Sequence, residues 1–593
     1  MKKVMTAMML IASMTWMQGC STETDDWLDE IYGEVENGNA AINNAAGGGA
    51  SASSGELTSF TVEIDRTGAE PSATVEEYFP DAEDNLDNNS FDTEVSITFN
   101  GNSATYTAAE GVTITAEGGH VVASHGSTKG ICYTVSGTTE SGSLTIVGSK
   151  KYEVKLNGVS ITNPDSTALN LLSGKRAYVV LADGTTNKLA DGTTSKASDQ
   201  KGAFYCKGKL LFNGSGILEV YGNYNNGIHC ADYIVFRQGN NVYVKSGSGH
   251  GIKANDGVFI NGGIVNVEVS AAAAKGINSE SDVMVNGGRV TVITTGNGTY
   301  DSDDKEVKGA AAIKADSTYT QNGGEVCLKS AGSGGKGLKT SYEAYLNGGS
   351  LHVITEGSKY SGNNDTASPK GIKIGTKNVH GLLGLYGTDV MVRTKGNGGE
   401  GIESKGTITV TGGTVQVSAY DDAINSAGDL AIKGGNIMAV GTNNDGLDAN
   451  GNMYIQGGTV VAFGAGGAET GIDIGEQYKL YITGGNIFGI GGRIDANLGS
   501  TSQGIVSTSG SVSANTTVFV ADGSTTLATF TMPPYSYSNG TIMLSAPGMS
   551  NGSSYTLELG SGSQTVTAST SLSSSMGGGV QPGGPGGGRP GGW

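Results

Sequence analysis

The residues of this chain with the clearest chemical potential flank a recurring small–aliphatic pair. The pairs are Ala203-Phe204, Gly227-Ile228, Gly251-Ile252, Gly276-Ile277, Ala312-Ile313, Gly337-Leu338, Gly371-Ile372, Gly401-Ile402, Ala423-Ile424, Gly446-Leu447 and Gly471-Ile472. From Gly227 onward, the position before each pair reads Asn226, His250, Lys275, Ala311, Lys336, Lys370, Glu400, Asp422, Asp445 and Thr470. The position after it reads His229, Lys253, Asn278, Lys314, Lys339, Lys373, Glu403, Asn425, Asp448 and Asp473. Both columns turn from cationic to anionic between Gly371 and Gly401. Like charges one rung of about 5 Å apart repel by about 3 kcal/mol at an effective dielectric of ~20, and by less than ~1 kcal/mol when fully solvated.

Each half of that switch suggests a ligand. Residues 400–475 hold nine acidic groups against Lys405 and Lys433, so protein cations offset little of the charge there. Glu400, Glu403, Asp422, Asp445, Asp448 and Asp473 form an oxygen-rich set of the kind that suits calcium, which takes about 6–8 oxygens in flexible geometry. A solvated acidic edge is the alternative. Asp301-Ser302-Asp303-Asp304 is a second candidate for calcium, or a plain solvated turn. On the cationic side, His250, Lys253, Lys275, Lys314, Lys336, Lys339, Lys370 and Lys373 suit a polyanionic glycan with carboxylates spaced along the row. Residues 250–380 also carry 13 charges of each sign, so a balanced, solvated face fits the same residues. The long loops 295–311 and 356–370 bring Tyr300 and Tyr360 to that edge, to stack on sugar rings or to pack on the protein. Were the chain a lyase, a base beside a metal would abstract the proton next to a uronate carboxylate. Lys373, nearest in sequence to the acids, is the candidate base.

Other chemistries find no support. The six histidines lack metal-ligand spacing and no Ser-His-Asp set is readable. The Gly-x-Gly-x-x-Gly run at Gly332–Gly337 is followed by no helix, so it does not mark a nucleotide site. Cys206 and Cys230 occupy equivalent repeat positions and read as a buried thiol pair rather than a disulfide.

The elements that position these columns follow from the period. The pairs recur mostly every 22–25 residues, with gaps of 36, 34 and 30. Turns marked Asn261-Gly262-Gly263, Asn286-Gly287-Gly288, Asn322-Gly323-Gly324 and Asn347-Gly348-Gly349 recur with them. Between turns the pattern alternates, as in Val265-Asn266-Val267-Glu268-Val269. Such a period leaves no room for helices, lacks a leucine-rich repeat's strand pattern, and is too short for a four-stranded propeller blade of about 40 residues or more. A parallel β-helix remains, its turns stacked about 4.8 Å apart with the aliphatic of each pair in an inward ladder. The 99 glycines among 593 residues, more than twice the usual share of about 7%, then serve corners rather than low complexity.

The ends of the chain differ from the repeat. Lys2-Lys3 and the apolar stretch to Met17 have the form of a secretory signal, too short for a membrane-spanning helix. Met17-Gln18-Gly19-Cys20 resembles a bacterial lipoprotein cleavage site, with Cys20 the lipidated residue. The acidic run after it resembles a signal for outer-membrane export. Residues 21–100 hold 19 acids and only Arg66 as a base, whereas residues 101–593 sum to 33 − 37 = −4. The net charge of −20 therefore sits mostly in a leader, and nucleic-acid binding is not expected. These features divide the chain into a signal peptide (1–20), an acidic flexible tether (21–94), a parallel β-helix (95–503), a C-terminal antiparallel β cap (504–575) and a Gly/Pro-rich disordered tail (576–593).

Several stretches carry a resemblance. Asn157-Gly158-Val159-Ser160-Ile161-Thr162-Asn163, Leu181-Ala182-Asp183-Gly184-Thr185, Asn213-Gly214-Ser215-Gly216 and Tyr221-Gly222-Asn223-Tyr224-Asn225-Asn226-Gly227-Ile228-His229 are similar to the carbohydrate-binding parallel β-helix family. The Gly-Ile-Lys and Asn-Gly-Gly turns add to the match, which covers roughly residues 95–570. The resemblance implies an all-β, right-handed single-stranded parallel β-helix similar to pectate lyases. It implies binding of plant-type (pectic or cellulosic) polysaccharides and calcium, with no established catalysis. The expectation is a lipid-anchored outer-membrane protein at the cell surface that binds a polysaccharide, possibly a polyuronate. The alternatives are a calcium-dependent pectate-type lyase and a structural adhesin.

Overall fold

The computed structural model describes residues 60–572, apart from 67–68, 73–74, 197–199 and 561. The signal peptide with Cys20, most of the tether and the Gly/Pro tail lie outside the described residues. Within them the chain is a parallel β-helix whose turns, from Leu169 onward, each lay down three strands. One turn, for example, runs Lys275–Ser279, Val283–Val285 and Arg289–Thr294, and the next turn repeats them as Ala311–Ala315, Thr318–Gln321 and Glu325–Ser330. Each strand pairs in parallel with its counterpart one turn later. The strand carrying the small–aliphatic pair belongs to a 15-stranded sheet, here called the third face. The two that follow it join a 31-stranded sheet as its first and second faces.

The alternation seen in the sequence sets this arrangement. Inward positions are Ile277, Val283, Val285, Val290 and Val292, all fully buried. Phe204, Ile228, Ile252, Ile277, Ile313, Leu338, Ile372, Ile402, Ile424, Leu447 and Ile472 are register partners in succession along the third face. Burying each such side chain contributes about 1.5–3 kcal/mol. Two glycine positions make the spacing possible. The second glycine of each Asn-Gly-Gly turn has positive φ, as in Gly288 (+77°), Gly324 (+77°) and Gly349 (+76°), which an L side chain rarely adopts. In the loops from the second to the third face, glycines stack on one another. A Cβ on Gly332 would lie 2.0 Å from the Gly296 carbonyl oxygen, and one on Gly357 would lie 2.1 Å from that of Gly332.

Both ends of the coil are closed by antiparallel strands. At the start, Thr93–Asn100 pairs antiparallel with Ser103–Thr107 and parallel with Ile131–Thr139. At the far end, Tyr537–Ser545 runs antiparallel to both Asn486–Gly491 and Ile505–Val512, covering the ladder of the second face there. A four-stranded antiparallel sheet follows. Beyond covering the end, this cap folds back over the second face, where Val461, Phe463 and Phe488 share a core with Val518, Phe530 and Leu544.

Residues 60–92 depart from the expected flexible tether. Their described residues form a strap laid over the first and second faces, because acids and aromatics among them have fixed partners there. Phe60 packs on the His352 ring with centroids 5.1 Å apart. Glu70 accepts from the Gly239 amide at 2.8 Å, and Glu77 meets Arg237 at 2.7 Å. Buried Asp84 accepts from Arg176 at 2.8 Å and from the Tyr233 hydroxyl at 2.7 Å. Phe79, Leu86 and Phe91 cover Tyr178, Leu211, Val235 and Phe259.

The inward ladder yields a direct test. Ile313→Ala opens a cavity between Ile277 and Leu338 and is expected to destabilise the coil by about 2–5 kcal/mol. Denaturant unfolding followed by circular dichroism measures it.

Candidate functional site

The third face brings the sequence-predicted columns together as drawn. Register pairs Lys275 with Ala311, Ala311 with Lys336, Lys336 with Lys370, and Lys370 with Glu400. The second column runs Thr145, Asn170, Tyr205, His229, Lys253, Asn278, Lys314, Lys339, Lys373, Glu403, Asn425, Asp448 and Asp473, each beside the next. Residues before and after the pair therefore lie in two parallel rows on the outer side of one sheet.

The row before the pair is architectural. Its lysines are buried, with Lys275, Lys336 and Lys370 at 9%, 8% and 6% exposure. Lys275 donates from Nζ to the Ala273 carbonyl and to that of Gly309 at 3.0 Å, and Lys336 donates to Gly334 at 2.7 Å. These ammonium groups hold the loops leaving the second face and are largely withdrawn from the surface where a glycan was expected to meet them. Burial, reinforced by Lys339, Lys314 and Lys308, pushes Lys275 down to about 7.

The other members of this row accept. The Asn226 side-chain oxygen takes the His250 amide at 2.9 Å, and His250 Nδ1 takes the Lys275 amide at 2.9 Å. A ring nitrogen that accepts a backbone N–H is unprotonated, and burial accordingly holds His250 at about 3. Asp422 accepts from the Asp445 amide at 3.1 Å, and Asp445 from the Thr470 amide at 2.5 Å. Asn226, His250, Asp422 and Asp445 thus each cap a main-chain donor of the next turn, a role their charge does not announce.

At the switch from cation to anion the charges neutralise one another. Lys370 pairs with Glu400 and lies 3.6 Å from Glu403. Glu403 also meets Lys373 at 3.2 Å and Lys405 at 2.5 Å. Burial opposes its ionisation, yet the three lysines hold Glu403 down at about 2. Lys373, the candidate base, is thus committed to a carboxylate rather than placed to take a substrate proton.

Beyond the switch the acids stack in rows instead of converging. Among the described residues no three His, Cys, Asp or Glu side chains gather closely enough to hold a metal ion. The expected calcium set of Glu400, Glu403, Asp422, Asp445, Asp448 and Asp473 is therefore not assembled as one site. Burial, helped by neighbouring carboxylates, pushes Asp422 and Asp445 up to about 7 and Asp448 up to about 8. The Asp301–Asp304 turn is likewise engaged, with Lys308 on both Asp301 and Asp304, and Asp301 accepting the Asp303 amide at 2.9 Å.

The row after the pair keeps the accessible groups. Lys253 and Lys314 are partly exposed and pair with Glu280 at 2.8 Å and Asp316 at 2.6 Å. Lys339 sits between Lys314 and Lys373, and burial followed by those two charges lowers its pKa. Tyr300 and Tyr360 lie on two small hairpins, Thr299–Asp301 with Glu306–Lys308 and Tyr360–Gly362 with Asp365–Ala367. The hairpins are joined by the Val307 amide on Asp365 at 2.6 Å, and Tyr360 packs against Gly298, so Tyr360 partly follows the packing alternative. Toward the start of the same face lies an open polar hollow of about 390 Å³. It is lined by His120, Ser143, Thr145, Asn163, Asp165 and Asn170 among others. Sequence reasoning missed it because the early repeats are degenerate; its one signal is the alternation of polar outward residues at His120, Ser143 and Thr145.

Three comparisons bear on this surface. A family model described as "Carbohydrate-binding domain-containing protein" matches residues 110–273 and 383–531, more than half of the chain. A carbohydrate-binding domain-containing protein of Acetivibrio thermocellus is 31% identical over 126 residues, 20% of this chain and 44% of that protein. The match thus spans less than half of that relative's length. The solved structure of a polysaccharide lyase-like protein from C. thermocellum, a gadolinium derivative, aligns at a TM-score of 0.32 and 22% identity over 44% of this chain and 92% of that one. At that score it carries no argument.

The acidic rows predict a pH dependence. Their carboxyls keep protons in the folded state that the unfolded chain releases at ordinary carboxylate pKa values. The folded state therefore binds more protons between about pH 4 and pH 8, and this contribution to stability is lost as pH rises through that window. Asp445→Asn with Asp448→Asn retains the accepting oxygens while removing the charge. The double variant is expected to be more stable than the parent at about pH 8, by on the order of 1 kcal/mol per residue, with the gain vanishing near pH 4. Thermal denaturation of both proteins across that range checks it.

Proposed function

The chain belongs to the carbohydrate-binding domain-containing family, whose model covers more than half of it, and from that premise we propose that it binds a linear polysaccharide along the outer row of the third face. The observation that carries this reading is the unbroken register of the row from Thr145 to Asp473. Its side chains repeat about every 4.8 Å along the coil, so a polymer laid parallel to the axis meets a new polar group at each step. The central lysines favour a polyuronate. Lys314, Lys339 and Lys373 stand on consecutive turns; burial first, and then the charges of Lys314 and Lys373, lower the pKa of Lys339, and a carboxylate laid across the row relieves the repulsive part. Pectic glycans are the plant-type polymers with that chemistry. Calcium is not part of this proposal, because Glu400 and Glu403 are paired with lysines and Asp422 and Asp445 accept backbone amides.

We further propose that Cys20 is lipidated and carries the protein to the outer face of the outer membrane. The support is the N-terminal sequence alone, and incorporation of labelled palmitate in the parent but not in Cys20→Ser tests it.

For the binding row, retention on immobilised polygalacturonate is the measurement. Lys314→Ala with Lys339→Ala is expected to weaken retention by about tenfold or more, and binding by the parent is expected to fall steeply with added salt. Binding that is unaffected by both removes the polyuronate. Absorbance of unsaturated product, read in the same incubation, is expected to stay flat; its appearance would establish a lyase instead. A parent that retains no glycan at all would leave the structural adhesin.

A further inference from the structure

Two sulfurs lie inside the coil at a place that neither the inward aliphatic ladder nor the charged rows explain. On the third face the strands Gly202–Cys206 and Asn226–Cys230 end on inward cysteines. Cys206 and Cys230 are register partners, with Leu171 on the turn before them and Ala254 on the turn after. Both are fully buried in the main core of the coil. Both thiols donate to a single acceptor, the Gly208 carbonyl, at 3.2 Å from Cys206 and 3.0 Å from Cys230. That carbonyl is closely held, because a Cβ on Gly208 would lie 2.1 Å from the Lys175 carbonyl oxygen. The two sulfurs therefore converge on one point of the turn between the third and first faces.

A thiol is not the group this position asks for. Later in the same inward column stand Ser404 and Ser426. Ser404 donates to the Gly381 carbonyl at 3.1 Å, and Ser426 to those of Gly406 and Asp429 at 2.9 Å. Serine thus meets the same demand with a better donor, since S–H is a weak one. What two stacked sulfurs add, and two hydroxyls cannot, is a bond to each other. Paired strands run about 4.8 Å apart, inside the range of about 4.4–6.8 Å that Cα atoms span across a disulfide. The other described cysteines have different neighbours in register. Cys132 stands between Glu94 and Glu153, and Cys327 between Thr291 and His352.

In the folded coil both are free thiols. Burial, followed by the neighbouring Cys206 thiol, pushes the Cys230 thiol well above its ordinary pKa, so the nucleophilic thiolate is scarce. A bond between the two sulfurs has to form before this turn closes. Once made it suits the core, because a disulfide brings no charge into apolar surroundings.

We propose that Cys206 and Cys230 are an oxidative modification site, joined while the coil assembles by exchange with an external disulfide of the glutathione type. In the still-open turn one cysteine, as thiolate, attacks a sulfur of the external disulfide, forming a mixed disulfide and releasing one thiolate. The second cysteine then attacks the protein sulfur of that bond and releases the other. Two protein thiols are oxidised to one S–S bond, the external disulfide is reduced to two thiols, and the two protein protons end on those thiols. The bond closes one full turn of the coil into a ring, which restricts the unfolded chain. The inference rests on neither the glycan nor the lipid anchor.

Cell-free synthesis of the full-length chain with oxidised or with reduced glutathione tests it, followed by alkylation in denaturant, digestion and mass mapping. With the oxidant present, a peptide joining Cys206 to Cys230 is expected, while Cys132 and Cys327 carry the alkyl group. With reduced glutathione all four carry it, and oxidant added after folding is expected to leave them unchanged. The joined form is expected to melt about 2 °C or more above the thiol form. Cys206→Ser and Cys230→Ser, which put the side chain found at Ser404 and Ser426 in these positions, are expected to fold and to lose that difference. Circular dichroism reports the folding of each. Alkylation or glutathione attachment at both Cys206 and Cys230 in the oxidised preparation overturns the site. A bond to Cys132 or Cys327 instead, a bond that forms equally well in the folded protein, or equal melting of the two parent preparations also overturns it.

Discussion

Everything in this protein depends on turns stacking in strict register one strand spacing apart. The inward aliphatic ladder drives that stacking and the glycine corners permit it. Where successive loops cross, a Cβ would sit about 2 Å from a carbonyl oxygen of the preceding turn, far inside contact distance. Side chains that project outward inherit the same register. A charge, an amide or a ring at one repeat position therefore lies beside its counterpart from the next repeat, for better or worse. Rows of like groups are a consequence of the fold before they are a sign of any ligand.

The third face shows how such rows are made tolerable. Lysines in one row are turned into loop clamps by backbone carbonyls. Asparagine, histidine and aspartate at the same position cap the next turn's amides. At the reversal of sign, Glu403 is held by three lysines, and beyond it burial raises the pKa of Asp445 and Asp448. What remains for a ligand is the narrower row through Lys314 and Lys339, where like charges adjoin with fewer compensating partners. A surface that had looked like one continuous electrostatic feature is mostly structural.

The first face is organised by a different interaction. Its outward residues are apolar or aromatic, so they seek cover rather than counter-charge. The strap supplies that cover at one end, with Asp84, Glu77 and Glu70 anchoring it to Arg176, Arg237 and the Gly239 amide. The acidity of residues 60–92 is thus, in large part, a docking code for the coil's arginines and amides. Further along, Tyr345 stacks with Tyr386 and Tyr454 with Tyr481.

The repeat alone determined the parallel β-helix, the inward ladder and the pairing of outward positions, because these follow from period and alternation, which are properties of the linear order of residues. Even the two columns, from Asn226 and His229 onward, were legible residue by residue. What the linear order could not reveal is what lies opposite each outward group. Lys275 and Lys336 read as a binding surface until Gly309 and Gly334 are found over them. The acids from Glu400 to Asp473 read as a metal cage until they are seen to lie in rows rather than around a point. The strap's fate was decided by partners more than ninety residues away, such as Arg176 and Arg237. Register is local and repeats itself, whereas burial and pairing are set by segments distant in the chain, and those only the folded molecule brings together.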